Sequence, residues 1–281
     1  MGDQTKIEWC DMTFNPWIGC TKISAGCQNC YALDLMETRY QRVKWGPQGT
    51  RQRTSDANWR KPLAWNRKAE QEGRRYRVFC ASLADVFEDR PELAPWRADL
   101  LQMIIKTPHL DWLLLTKRPE NVNRMIEQAT GFSDSEMWFH AAQNVWIGTS
   151  VENQAAADER IPHLLSIPAR VRFLSCEPLL GSVDIGHAIP CGYYCDPVGP
   201  DGYGHHDHPF WTPQIASPID WVIVGGESGH NARHMDEDWV RSLRDQCVSA
   251  GVAFFYKQSV IDGKKVGLPF LDGKQWNESP Q

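Results

Sequence analysis

NVWIGTS, residues 144–150, is a short β-branched and aromatic run that ends on Ser150, with Glu152 two residues beyond. The fold follows from this stretch because its pattern recurs. RVFCAS (77–82), DWLLLT (111–116), RVRFLSC (170–176), DWVIVGG (220–226) and GVAFFYK (251–257) share its character, and an earlier strand is expected near MTFNPWIG (12–19). Helical patterning fills 28–43, 92–107, 119–129, 155–166 and 236–250. Continuous apolar strands alternating with helices predict a parallel sheet covered on both faces.

Polar residues follow nearly every strand: Ser82 and Asp85, Thr116, Lys117 and Arg118, Ser150 and Glu152, Glu177, Glu227 and Ser228, Lys257 and Gln258. In a barrel these ends converge on one mouth, where such folds build their sites, whereas an open sheet would spread them along an edge. No Gly-rich phosphate loop follows an early strand, so a nucleotide-binding open sheet has little motif support. The expected class is therefore α/β, a partial or full β/α (TIM-like) barrel of about six to seven parallel strands in a single domain over residues 1–281. Residues 187–218, with six prolines and four glycines, break the rhythm and read as a Pro/Gly/His-rich loop insertion late in the barrel.

The chain has 281 residues, enough for a substantial core without covalent staples. Its beginning, MGDQTKIEW, lacks the basic and apolar regions of a signal peptide, and no apolar run is long enough to cross a bilayer. A soluble, cytoplasmic protein without membrane partners is expected. The formal net charge of −5 conceals a basic segment at 39–77, where twelve Lys or Arg face three acids. Tyr40, Trp45, Trp59, Trp65 and Tyr76 interleave those charges. That mixture suits a nucleotide or DNA partner, with phosphates on the cations and bases on the rings. It equally suits a solvated helix pair anchored by its tryptophans.

Nine cysteines, an odd number, argue against a fully paired secreted framework. Three of them, Cys20, Cys27 and Cys30, crowd the loop GCTKISAGCQNCYA (19–32). Zinc would need a fourth ligand, and Cys10 is ten residues upstream of the first of them. A disulfide would leave an odd thiol. A [4Fe–4S] cluster on three thiolates would keep one iron open for S-adenosyl-L-methionine, whose one-electron cleavage yields a 5′-deoxyadenosyl radical. In the insertion, Cys191 and Cys195 with His205, His206 and His208 downstream offer four ligands for a structural zinc, Cys191, Cys195, His205 and His208, or else form a His-rich surface loop.

The stretches IEWCDMTFNPWIGCTKISAGCQNCYA, LLLTKRPENV, WIGTSVEN, FLSCEPLLGSVD, DWVIVGGESGHNAR and FFYKQ, spread from residue 7 to about 258, resemble the phage Gp37/Gp68 family, a group of unknown function. The cysteine loop after a first strand also resembles the radical S-adenosylmethionine superfamily, here spaced C-x6-C-x2-C. The resemblance implies a cluster on Cys20, Cys27 and Cys30, S-adenosyl-L-methionine as cofactor, an electron donor such as flavodoxin or ferredoxin, and a host-cell cytoplasm if the protein is phage-encoded. By position on the barrel it implies cofactor contacts at Ser82, Asp85, Lys117, Ser150, Glu152 and Glu177, substrate contacts at Arg118 and Gln258, and catalytic roles for Glu227 and Lys257.

The function these readings imply is a radical enzyme acting on a nucleobase or nucleotide, in DNA modification or repair. Three alternatives stand beside it: a zinc-stapled nucleic-acid-binding protein without catalysis, a radical enzyme on a free small molecule, and a barrel hydrolase or transferase with incidental cysteines.

Overall fold

A computed structural model describes residues 5, 7–189, 218–229, 231–261 and 264–280. Its centre is an open, curled sheet of eight strands that forms a half-barrel. In order across the sheet these are β1 (Met12–Phe14), β2 (Tyr76–Cys80), β3 (Leu110–Thr116), β4 (Val145–Ser150), β5 (Val171–Cys176), β6 (Trp221–Gly225), β7 (Ala253–Ile261) and β8 (Lys264–Gly267). The first seven run parallel, and β8 returns antiparallel along β7. The sheet thus stops at a partial barrel. Spatial order follows chain order, as in a β/α barrel.

The helices are α1 (Asp56–Glu72), α2 (Ala94–Ile105), α3 (Val122–Thr130), α4 (Ser135–Ala141), α5 (Gln154–Leu165) and α6 (Glu237–Ala250). Their starts obey local chemistry: Ser55, Asn153 and Asp236 each accept a backbone N–H from the first turn of the helix they cap. Alternation along the strands divides the apolar residues between two cores. On β5, Leu174 and Cys176 pack beneath the helices, whereas Val171 and Phe173 face the concave side. There Trp9 plugs the half-barrel, its ring 4.6 Å from Phe79 and 6.1 Å from Trp221.

The basic segment is not a helix pair. Its one long helix, α1, turns Trp59, Pro62, Trp65 and Ala69 into the core, and Tyr76 opens β2 in full burial. Those three aromatic residues are packing anchors, so the expected stacking surface across all of 39–77 is corrected. Several cations of the segment are also engaged: Arg51 with Glu88, Arg53 with Asp99, Arg74 with Asp11, Arg75 with Asp111. Cys191, Cys195, His205, His206 and His208 lie outside the described residues. Among the described residues, no helix is long and apolar enough to cross a membrane.

Candidate functional site

The C-terminal ends of β2 to β7 border a cavity of about 400 Å³, a size suited to a small ligand. Ser82, Asp85, Lys117, Arg118, Ser150, Glu177, Glu227, Lys257 and Gln258 line it, and the loop from Cys20 to Tyr31 forms its cover. Glu152 is set just behind that lining. Residues from six strand ends therefore meet, as the convergence of polar ends predicted.

The cover is tied down by the ends of β2, β3, β4 and β6. The hydroxyl of Tyr31 donates to the Ser82 carbonyl at 2.6 Å. Arg118, almost fully buried, pairs with Asp85 at 2.9 Å and donates to the Thr21 carbonyl at 2.9 Å. Asp85 in turn accepts from Thr116 Oγ1, Lys117 N and Phe87 N. Burial opposes the Arg118 charge, yet Asp85, Cys20 and Glu88 hold the guanidinium well above its ordinary range. Glu152 pairs with Arg160 at 2.8 Å and accepts the Gly26 N–H at 3.3 Å. Its burial favours protonation, but Ser24, Arg160 and Lys117 outweigh it and the carboxyl is lowered.

On the opposite side, Glu227 accepts from Asn29 at 2.8 Å and from Arg233, which also donates to the Ala25 carbonyl. Glu177 pairs with Lys257 at 2.9 Å, and a Cβ on Gly225 would stand 2.5 Å from its Oε1, so glycine is what admits this carboxylate. The Gln258 amide donates to the Gly226 carbonyl at 2.6 Å, while the Ser82 hydroxyl bonds Asn15.

Lys117 differs from these groups. Its ammonium donates to the Ser150 hydroxyl at 3.1 Å and has no carboxylate within ion-pairing distance among the described residues. A half-buried cation on a cavity wall with one neutral partner retains capacity for an anion.

The three thiols share the cavity, but among the described residues no group of three or more His, Cys, Asp or Glu is placed to hold a metal ion. Each of two thiols has its own protein partners. Cys20 Sγ lies 3.5 Å from the Thr21 carbonyl and 3.9 Å from Arg118 Nη1, and Cys27 Sγ lies 3.8 Å from Ser24 Oγ. Burial pushes the Cys20 thiol up to about 12, whereas at Cys27 the effect of burial is outweighed by Lys117 and hydrogen bonds from Ile23 and Ser24, and the thiol is lowered. The described cysteines are free thiols, so a disulfide fails as well.

These findings overturn the [4Fe–4S] cluster and zinc on the triplet. The radical S-adenosyl-L-methionine chemistry, with the modification or repair of DNA that it implied, falls with the cluster. So does the reason to expect flavodoxin or ferredoxin. Arg233, Asn29 and Arg160 escaped the sequence reading, because their partners are brought close only by the fold. Arg233 does stand in the loop after β6, where polar residues had been expected, and that was the one available signal.

Fold and site define a β/α half-barrel protein with a polar, cation-bearing cavity at the C-terminal ends of its strands. The chain belongs to a family described as a protein of unknown function (DUF5131), whose match covers residues 4–280. No curated protein and no solved structure matches it.

Proposed function

We propose that the chain binds a small anionic ligand of the nucleotide class in the mouth of its half-barrel. The observation that carries this reading is Lys117, an ammonium on the cavity wall without a carboxylate partner. Lys22 and Lys265, both exposed, border the same cavity and add to its attraction for an anion. Tyr31 and Trp45 also line it, and aromatic residues there suit a base, whereas a simple inorganic anion would leave them unused.

In this reading Lys117 and Ser150 receive the phosphate. Ser82, Glu177 with Lys257, Glu227 and Gln258 offer polar groups to the sugar and base. Asp85 and Arg118 on the cavity wall, and Glu152 behind it, fix the loop that covers the ligand. Calorimetric titration with nucleoside monophosphates and with the matching nucleosides tests the assignment. Monophosphates should bind, nucleosides at least about tenfold more weakly, and Lys117→Ala should erase that difference, since a charge-assisted hydrogen bond is worth about 1.5–3 kcal/mol. Failure of every monophosphate to bind the wild-type protein overturns it.

A further inference from the structure

At the cavity edge the chain leaves a π-helical stretch, Asp34–Arg39, and turns at Gln41, whose φ is 51°. The backbone beyond the turn is firmly pinned. Arg42 N donates to the Met36 carbonyl at 2.8 Å, Lys44 N to Thr50 Oγ1 at 3.1 Å, Trp45 N to the Glu37 carboxylate at 2.7 Å and Gly46 N to the Cys20 carbonyl at 3.0 Å. The side chains it presents are nevertheless exposed: Arg39, Tyr40, Arg42 and Lys44. Tyr40 is 60% exposed, with the Arg42 guanidinium 6.0 Å from its ring centre. None of the three cations makes an ion pair among the described residues, unlike Arg51, Arg53, Arg74 and Arg75 further along the segment. Trp45, next in the chain, lines the cavity itself.

We propose that residues 39–44 are a track for single-stranded nucleic acid, which delivers one nucleotide of the strand into the cavity. The inference rests on the nucleotide reading of the cavity and names the form in which that nucleotide arrives. Three unpaired cations on a pinned backbone match successive phosphates, and an exposed tyrosine between them matches an unstacked base. A duplex would hide its base faces from Tyr40 and could not place a nucleotide in the cavity without extruding it.

The test measures fluorescence anisotropy of labelled deoxyribo- and ribo-oligonucleotides of one to eight residues, single-stranded and duplex, over a range of salt. Affinity should rise with single-strand length and fall with salt, with a log–log slope of about −2 for three neutralised phosphates. The triple variant Arg39→Gln, Arg42→Gln, Lys44→Gln should flatten both dependences, and Tyr40→Ala should weaken the oligonucleotide roughly tenfold. Unchanged circular dichroism shows that these exposed substitutions leave the fold intact. The sugar bound more tightly identifies DNA or RNA as the source, and either supports the track. Oligonucleotides that bind no tighter than a monophosphate, or a duplex that binds better than its single strands, overturn the track and leave the cavity reading in place. Oligonucleotides that bind Lys117→Ala as well as wild type overturn the cavity reading and this inference with it.

Discussion

Arg233 grips Glu227 with two nitrogens of its guanidinium, Nη2 to Oε1 at 2.5 Å and Nε to Oε2 at 2.9 Å, and with its backbone N–H at 3.0 Å. The same arginine reaches the Ala25 carbonyl and the Gln28 side chain, so one residue after β6 fastens the cysteine loop from the other end of the chain. A bidentate pair of this kind fixes orientation as well as charge.

Removing Arg233 leaves a buried carboxylate with Asn29 as its remaining side-chain donor. Arg233→Ala should destabilise the protein by about 2 kcal/mol in urea unfolding, and should loosen residues 25–29 in hydrogen exchange. Loss of stability without added exchange in that loop would show that Arg233 does not act as its latch.

The pH dependence of this pair has a definite sign. Burial raises the Glu227 carboxyl, but the hydrogen bonds from Arg233 and Asn29 more than offset it, and the group is held below its ordinary value of 4.5. A carboxyl lowered by folding stabilises above its unfolded pKa, and that contribution disappears as pH falls through the folded one. The stability difference between wild type and Glu227→Gln should be largest near neutrality and shrink below about pH 4.5. A constant difference from neutral pH into strong acid would contradict the assignment.

The strands β2 to β7 were legible because each is a largely apolar run, whereas the polar β8 was not, and the polar ends were legible because chain order becomes spatial order in this topology. The helix α1 was hidden by its own composition. Trp59 and Trp65 share their stretch with Arg60, Lys61, Arg67 and Lys68, and only the observed helix separates a buried stripe from a basic face. The cysteines failed differently. Spacing along a loop does not fix the distances between side chains, and the neighbours that claim Cys20 and Cys27, Arg118 and Lys117, come from the end of β3. Pairs such as Asn29 with Glu227 join residues too far apart in sequence for local patterns to reveal.

Thiol reactivity should separate the cysteines of the cavity. The thiolate is the nucleophile, so a lowered thiol reacts faster at a given pH. With iodoacetamide at about pH 7.5, Cys27 should label well before Cys20, whose thiol burial pushes up to about 12, and before Cys80 and Cys176, which burial raises further. Lys117→Met should slow Cys27 several-fold by removing the charge that lowers it. Peptide mass mapping over a time course reads both effects, and equal rates at Cys20 and Cys27 would refute the ordering.

Gly225 is the site where backbone economy serves the cavity. A methyl group there meets Glu177 Oε1 at 2.5 Å and Gln258 Cγ at 3.2 Å. Gly225→Ala should therefore push Glu177 away from Lys257, at a small cost in stability because the displaced atom is the end of a flexible side chain. Monophosphate affinity should fall in the same variant. Calorimetry and urea unfolding on one preparation check both, and an unaltered protein would mean that the carboxylate moves aside freely.

Gly148 poses the same question in the concave core, where its answer bears on the whole half-barrel. It is paired with Phe173 across the β4–β5 ladder, and a Cβ at 148 would overlap the phenyl ring. That ring belongs to the cluster around Trp9 and Trp221, with centroids 6.4 Å and 6.0 Å away, so it cannot retreat without disturbing the plug. Gly148→Ala should cost roughly 1–3 kcal/mol by overpacking. Phe173→Leu alone should also destabilise, by leaving a cavity. Combined, the two should destabilise by less than their sum, because the smaller side chain accepts the new methyl group. Urea unfolding of the four proteins closes this double-mutant cycle, and strict additivity would show that the glycine is not there to seat the ring.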